Sequence, residues 1–132
     1  MLKKKDQKES TTTKATTSAN SVHLEKPAGS IKAHEDLVKK ILLWCAYERP
    51  GWILWKNNTG KGITFHGSIV KFGLKGSPDI IGFTEHGTFV GIEVKTGNAV
   101  QNKFQKAFQK KLEECNGIYK VIRPGAILEK VL

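Results

Sequence analysis

The chain has 132 residues, with 22 Lys and Arg against 12 Asp and Glu, which gives a formal net charge of +10. This length suits a single domain, and because no apolar run of about 20 residues is present, we expect no membrane-spanning helix. The N-terminus lacks the apolar segment of a signal peptide, so we expect an intracellular, cytoplasmic protein. In that reducing compartment Cys45 and Cys115 are expected to be buried free thiols.

The first 30 residues are rich in Lys, Thr and Ser and poor in apolar side chains. They bury too little surface to offset the entropy of ordering, so we predict a disordered basic tail over residues 1–30 and one domain over residues 31–132. The tail has six lysines and three acids, which leaves +7 of the formal charge on the domain. A basic domain favours a polyanionic partner, although a ribosomal or membrane-surface protein would have the same charge.

Apolar residues recur at helical spacing from Ile31 to about Tyr47, and a Pro-Gly pair follows, so we predict an amphipathic helix there. Glu35 lies in the predicted first turn, where the helix dipole favours an acid whatever its function. For His34 two interpretations stay open, contact with a nucleic acid and exposure to solvent.

Residues 52–55 form an aromatic and aliphatic run that predicts a strand. Residues 57–67 are rich in Gly and polar side chains and include Lys61 and His66, so we predict a loop. Such a loop lets a phosphate backbone approach closely, and a plain surface connection is the alternative.

A β-hairpin is predicted by two β-branched and aromatic runs, residues 80–83 and 89–92, with a short turn between them. Asp79 directly precedes the first run, and Glu93 directly follows the second. The charged residues at the ends of these strands are therefore the first candidates for a functional site.

The register of this hairpin decides whether its charged residues meet. With a three-residue loop, Asp79 lies opposite Glu93, and strand alternation places Lys95 on the same face. With a two-residue loop, Asp79 would lie opposite Val94 instead. The functional interpretation requires the three-residue loop, for which Gly87 supplies the left-handed residue.

Two carboxylates held side by side away from water raise each other's pKa unless a cation lies between them. Hard oxygen ligands favour Mg²⁺ or Mn²⁺, and the sequence has no Cys/His cluster with zinc-like spacing. Such an ion polarises a phosphoryl oxygen and acidifies a bound water, which Lys95 would orient. The competing interpretation is that Glu93 and Lys95 form an exposed salt bridge that contributes little to stability.

After a loop, Asn102 is a good N-cap for a further helix, and Gln105 completes a capping box. The apolar stripe of this helix, which includes Phe104, Phe108 and Leu112, is predicted to be core. A strand over residues 118–122 and a short packing helix over residues 126–132 complete the predicted elements.

The segments Gly76-Ser77-Pro78-Asp79 and Ile92-Glu93-Val94-Lys95, together with Gln105, resemble the PD-(D/E)xK nuclease signature in the form of the VRR-NUC (virus-type replication-repair nuclease) family. The similarity runs from about Ala33 to Arg123, and residues 70–82 are especially similar to stand-alone phage-type members. The resemblance implies an α/β fold, with a restriction-endonuclease-like core in which helices flank a mixed central β-sheet. It also implies metal-dependent cleavage of DNA.

The resemblance also assigns roles to single residues. It implies a catalytic set of Glu35, Asp79, Glu93, Lys95 and Gln105. Asp79 and Glu93 would bind Mg²⁺ or Mn²⁺ together with the backbone carbonyl of Val94. For Gln105, orienting Lys95 or the water competes with capping the helix, because one side chain is not expected to do both fully.

Residues 55–60 resemble a basic-Asn-x-Gly motif near the family's active site, with Lys56 in place of the more common arginine. Lysine binds a phosphate as a point charge rather than through a bidentate fork. The residues expected to bind nucleic acid are Lys56, Asn57, Lys61, Lys71, Lys75 and Ser77. The expected partner is DNA, in particular branched DNA such as a Holliday junction. A homodimer is expected with it, because two-fold symmetry matches paired nicks.

Two alternatives stay open. A non-catalytic, basic DNA-binding module could keep the nuclease scaffold, although binding alone would not need the acid, lysine and glutamine positions to be filled. A sequence-specific restriction-type nuclease would need more surface for reading base edges than so short a chain offers.

Overall fold

The computed structural model of the protein describes residues 28–132. Its elements in chain order are α1 (Ala28–Glu48), β1 (Ile53–Lys56), β2 (Gly60–Ile63), β3 (Ile69–Phe72), β4 (Ile80–Phe83), β5 (Phe89–Val94), α2 (Lys103–Glu114), β6 (Ile118–Ile122) and α3 (Leu128–Val131). The predicted tail lies outside the described residues except for residues 28–30, which belong to α1. No helix within the described range is long and apolar enough to cross a membrane.

A four-stranded sheet with the order β1-β4-β5-β6 forms the centre of the structure. β4 is antiparallel to both of its neighbours, whereas β6 runs parallel to β5. A parallel pair needs a crossover connection, which here contains α2. The protein is therefore a mixed α/β structure with a mixed sheet, as the resemblance implied.

The hairpin that joins β4 and β5 has the three-residue loop that the functional interpretation requires. The N–H of Thr84 donates to the carbonyl of Thr88 at 2.9 Å, and Gly87 adopts the left-handed φ of +78° that such a loop needs. The strand pairing, continued by one residue, places Asp79 opposite Glu93. The register that the functional interpretation requires is therefore present, and the alternative of a two-residue loop is wrong.

The core lies between one face of the central sheet and α1. Its buried members are Val38, Ile41, Cys45, Ile80, Val90, Ile92, Val94, Ile122 and Leu128. Burying each Val, Ile or Leu side chain contributes roughly 1.5–3 kcal/mol, so the register of β4 and β5 is fixed by the side chains that they place in this core. Both cysteines are free as predicted, but only Cys45 is buried, whereas Cys115 is exposed.

Helix α2 covers the opposite face of the sheet. A Cβ placed on Gly91 would lie 3.2 Å from Leu112 of α2, and the ring of Phe108 lies 6.5 Å from that of Tyr119 in β6. The prediction that the apolar stripe of α2 is core is wrong, because none of the residues of α2 is buried. One helix spans only part of this face, so the stripe stays partly open to solvent.

A second hairpin extends from the chain between β1 and β4. The prediction of a loop over residues 57–67 is wrong, because β2 and β3 pair antiparallel in a separate two-stranded sheet. The reason is local turn chemistry. The N–H of Thr64 donates to the carbonyl of Ser68 at 2.8 Å, and Gly67 has a φ of +81°, as in the hairpin at residues 84–88.

Candidate functional site

The predicted carboxylate pair lies where β4 begins and β5 ends, on the face of the sheet that α2 covers. Glu93 is 3% exposed, and the side chain of Asp79 is 27% exposed. The backbone N–H of Val94 donates to Oδ2 of Asp79 at 2.7 Å, which ties this carboxylate to the neighbouring strand. The alternative of an exposed salt bridge on a solvated strand is therefore wrong for Glu93.

Glu93, Lys95 and Gln105 form a closed hydrogen-bonded triangle. The ammonium of Lys95 lies 3.0 Å from Oε1 of Glu93, and Nε2 of Gln105 donates to the same oxygen at 2.6 Å. The third side is the bond from Nζ of Lys95 to Oε1 of Gln105, at 2.9 Å. Because the Lys95 side chain is only 12% exposed, its charge lies in a mostly buried site.

Gln105 has both of the roles that were treated as alternatives. Its Oε1 accepts from Lys95 and also from the backbone N–H of Asn102, at 3.0 Å. The side chain of Asn102 in turn accepts from the N–H of Gln105, which completes the predicted capping box. A carbonyl oxygen has two lone pairs, so one side chain can cap α2 and position Lys95 together.

The negative charge of Glu93 is only partly compensated by its surroundings. Burial raises its pKa, the negative charge of Asp79 raises it further, and Lys95 counteracts only part of this effect. Its Oε2 is buried and has no hydrogen-bond partner within residues 28–132. Since a buried polar atom without a partner costs free energy, this oxygen is suited to a further ligand.

The available donors fit a hard divalent cation. Carboxylate and carbonyl oxygens are the ligands that Mg²⁺ and Mn²⁺ prefer. In the described part of the chain, no three His, Cys, Asp or Glu side chains cluster as a metal site. A cation here would therefore have two carboxylates, Asp79 and Glu93, and would need oxygen from the backbone, such as the Val94 carbonyl, and from water.

Helix α1 places His34 beside Asp79 of the carboxylate pair. The sequence left two other interpretations of His34 open. Nε2 of His34 lies 3.3 Å from Oδ2 of Asp79, and the His34 side chain is 21% exposed. His34 therefore does not simply face solvent, and its contact with nucleic acid stays a prediction. The contact with Asp79 depends on how α1 packs beside the sheet, and no local sequence pattern indicates it.

Glu35, the predicted acid of the first helix, interacts with Lys56 instead of with the carboxylate pair. The Lys56 ammonium lies 2.7 and 2.9 Å from its two carboxylate oxygens and lowers the pKa of Glu35. The interpretation of Glu35 as a first-turn acid is wrong, because α1 begins at Ala28 and Glu35 is its eighth residue. Lys56, predicted to bind nucleic acid, is thus paired within the protein.

Asn57 holds the turn that precedes Asp79. Its side-chain amide donates to Oγ of Ser77 at 2.7 Å and to the carbonyl of Pro78 at 2.9 Å. Its backbone N–H donates to the carbonyl of Asp79 at 2.7 Å. The side-chain N–H groups of Asn57, a residue predicted to bind nucleic acid, are therefore used to position Asp79.

Three of the lysines predicted to bind nucleic acid lie together. Lys61, Lys71 and Lys75 line a cavity of about 390 Å³ at the base of the β2–β3 hairpin. Lys61 and Lys71 are directly opposite each other across the two strands. The Lys75 ammonium lies 3.7 Å from the centroid of the Phe104 ring in the first turn of α2. The cavity thus lies beside the helix that carries Gln105.

Comparison with known proteins gives no assignment: no protein-family model matches the chain, and no curated protein matches it. The positions and the chemistry of the side chains are therefore the basis of the function proposed below.

Proposed function

We propose that the protein is a metal-dependent DNA endonuclease of the PD-(D/E)xK type, with a restriction-endonuclease-like core of the VRR-NUC form. One observation carries the proposal. Asp79 and Glu93 face each other at the end of a hairpin, Lys95 and Gln105 bond directly to Glu93, and a buried oxygen of Glu93 has no partner among the described residues. A buried carboxyl group of raised pKa beside a second carboxylate and a lysine is typical of catalytic sites, which supports phosphodiester hydrolysis here.

Asp79, Glu93 and the carbonyl of Val94 would hold Mg²⁺ or Mn²⁺. When bound, the ion would polarise a phosphoryl oxygen and lower the pKa of a bound water. His34 and the N–H of Val94 restrain Oδ2 of Asp79, so this carboxylate is already oriented. Such preorganisation reduces the rearrangement that binding requires.

Lys95 would stabilise the negative charge that develops on the scissile phosphate, or orient the attacking water. The Gln105 amide accepts from the Lys95 ammonium and donates to the Glu93 carboxylate, so we assign it as a positioning residue. Glu35 and Lys56 pair on the neighbouring surface of α1 and β1, where their partial exposure would let DNA exchange contacts with them.

The DNA part of the proposal is supported by charge. The 30 residues from Arg49 to Pro78 contain no Asp or Glu, and Lys61, Lys71 and Lys75 lie together within this stretch. Lysine ammoniums bind phosphates and release counterions, which favours association with any DNA form. The preference for branched DNA follows from the resemblance to small viral-type nucleases.

A homodimer is the second part of the proposal. It is supported by an apolar groove of about 310 Å³ beside α2, whose lining includes Phe89, Phe108 and Leu112. A two-fold dimer would present two equivalent sites to a four-way junction. Analytical ultracentrifugation of the full chain tests this part: a monomer at micromolar concentration would contradict it.

The test of the activity uses a four-way junction, a plain duplex and single strands, each with Mg²⁺, Mn²⁺ or EDTA. We expect metal-dependent cleavage that Glu93→Gln and Lys95→Ala abolish while binding is retained. The control variants Glu114→Gln and Lys120→Gln change exposed charges elsewhere and should cleave normally. Retained cleavage in both site variants would remove the proposed site, and binding without nicking in either metal would favour the non-catalytic module.

A further inference from the structure

The β2–β3 hairpin, residues 60–72, is a separate arm. Within residues 28–132 its strands pair only with each other. Apolar side chains at its far end are open to solvent: Ile63 is 77% exposed, Ile69 is 71% exposed, and Phe65 in the turn is fully exposed. Exposed apolar side chains that lie together at one end of a hairpin are suited to an interaction surface.

The register of the arm gives this surface a definite pattern. Lys61 faces Lys71, Ile63 faces Ile69, and strand alternation places both pairs on the same face. Like charges directly opposite each other are destabilising. No ion pair in the described range involves Lys61 or Lys71. An anionic partner would remove this repulsion.

The charge of the surroundings indicates what partner would cover the arm. No acid occurs between Glu48 and Asp79, and the cavity at the base of the arm adds a third lysine, Lys75. A second copy of this chain would bring the same lysines, so like charges would oppose each other. DNA has this order of groups, with phosphates on the outside and bases inside.

We propose that the arm is a DNA wedge, in which the lysines at its base bind backbone phosphates and its apolar end, led by Phe65, contacts bases that are unstacked at a branch or a strand end. The inference rests on the proposed function and adds a way of selecting branched DNA. The ring of Phe65 lies 5.6 Å from that of His66 in an edge contact, so two rings are presented at the end of the arm. Aromatic side chains bind the faces of unpaired bases without preference for sequence.

The backbone segments at the base of the arm, on either side of residues 60–72, link it to the proposed catalytic centre. Gly73 has a φ of +72°, and a Cβ there would lie 2.7 Å from the carbonyl oxygen of Asn58, so the two chain segments that leave the arm are in close contact. The preceding residue, Asn57, holds the backbone of Asp79. Bases opened by the arm would therefore lie at a fixed offset from the bond that is cut.

The test measures binding of the full chain, in EDTA, to a four-way junction that carries 2-aminopurine at the branch. Wild-type protein should increase the fluorescence, because the branch bases are unstacked. Phe65→Ala should remove most of this increase and weaken junction binding roughly tenfold, the loss that corresponds to one base–aromatic contact. Binding to a plain duplex should not change. The control is Tyr47→Ala, which removes an aromatic side chain that is 77% exposed on α1.

The lysines have a separate readout. Replacing Lys61 and Lys71 together by Gln should decrease the slope of log K against log salt by about 2, since each phosphate contact contributes about 0.9. Lys120 lies on β6, an edge strand of the central sheet, and Lys120→Gln should leave the slope unchanged. All these residues are exposed, so no variant should melt below wild type, and loss of the Lys61–Lys71 repulsion should if anything raise the melting temperature of the double variant.

An undiminished fluorescence increase in Phe65→Ala would overturn the inference. So would a wild-type dimer that becomes a monomer in Phe65→Ala, because the arm would then bind a second copy of the chain. If Phe65→Ala binds and cleaves junctions like wild type, only the wedge is wrong and the nuclease proposal stands. If wild-type protein binds none of the DNA forms, both proposals are wrong.

Discussion

Glu93 is the residue at which stability and proposed chemistry conflict most directly. It is buried, one of its oxygens has no partner within residues 28–132, and Asp79 adds a second negative charge nearby. Burying a charge without full compensation destabilises a protein, so the metal-free fold bears a cost at this position. A cation, or a proton, would relieve it.

Glu93→Gln should therefore stabilise the metal-free protein at alkaline pH. The pKa of Glu93 is raised above its ordinary value of 4.5, so the folded state holds a proton that the unfolded state releases, and wild-type stability falls as pH rises through the raised pKa. Thermal melts in EDTA should show a higher melting temperature for the variant at pH 8. The difference should close as pH falls and vanish below 4.5. Glu114→Gln should show no such pH-dependent gain.

At the scale of elements, α2 combines two functions in its first turn. Gln105 closes the capping box with Asn102 and also bonds to Lys95 and Glu93. The same turn contacts the loop before Asp79, because a Cβ on Gly76 would lie 2.5 Å from the carbonyl oxygen of Phe104. The start of this helix therefore fixes the site from two sides.

The two functions of this turn can be separated by a matched pair of variants. Asn102→Ala removes the N-cap and should cost about 1 kcal/mol of stability, with little loss of cleavage by the folded protein. Gln105→Ala should cost a similar amount and also decrease the cleavage rate by about tenfold or more, because Lys95 loses its positioning contact. Urea unfolding and single-turnover cleavage measure the two effects. Equal cleavage by both variants would contradict the positioning role.

Gly76 and Gly87 provide a second matched pair. Both have positive φ values, +84° and +78°, so alanine is strained by roughly 1–2 kcal/mol at either position. Only at Gly76 does the new Cβ meet backbone, whereas the space at Gly87 is open. Gly76→Ala should therefore lose about 3 kcal/mol or more in urea unfolding, and Gly87→Ala only the strain. Similar losses would show that Phe104 moves freely.

Sequence reasoning worked where a local signal fixed the geometry. Gly87 is compatible with the three-residue loop, one of the two loop lengths considered, and that loop pairs Asp79 with Glu93. The same signal was missed in the arm, where Thr-Phe-His-Gly-Ser at residues 64–68 parallels Thr-Glu-His-Gly-Thr at residues 84–88. The first strand of the arm, β2, contains two glycines. Glycine lowers strand propensity, and this favoured the prediction of a loop.

Contacts between distant elements were beyond the reach of local patterns. The approach of His34 to Asp79 depends on how far α1 extends and how it packs beside the sheet. The ion pair of Glu35 with Lys56 has the same origin, since it joins a helix to an edge strand. Neither contact leaves a periodic signal in the sequence, so both required the tertiary structure.

At the scale of the whole molecule, metal binding should raise the free energy of unfolding of the whole domain. A ligand at 100 times its Kd that binds only the folded state stabilises it by about 2.7 kcal/mol, a rise in melting temperature of roughly 10 °C for a domain of this size. Mg²⁺ or Mn²⁺ should raise the melting temperature of wild type, and EDTA should reverse the rise. Glu93→Gln should respond little, and Glu114→Gln should respond like wild type. A rise of equal size in Glu93→Gln would place the ion elsewhere.

The oxygen that Gln105 shares between the N-cap and the lysine has a thermal consequence. Helix ends fray before a domain unfolds, and fraying of this one turn would release the ammonium from its orienting contact. If the proposed activity is present, its loss on warming should then precede loss of the folded core, because the contact that orients Lys95 depends on Asn102 and Gln105 at the start of α2.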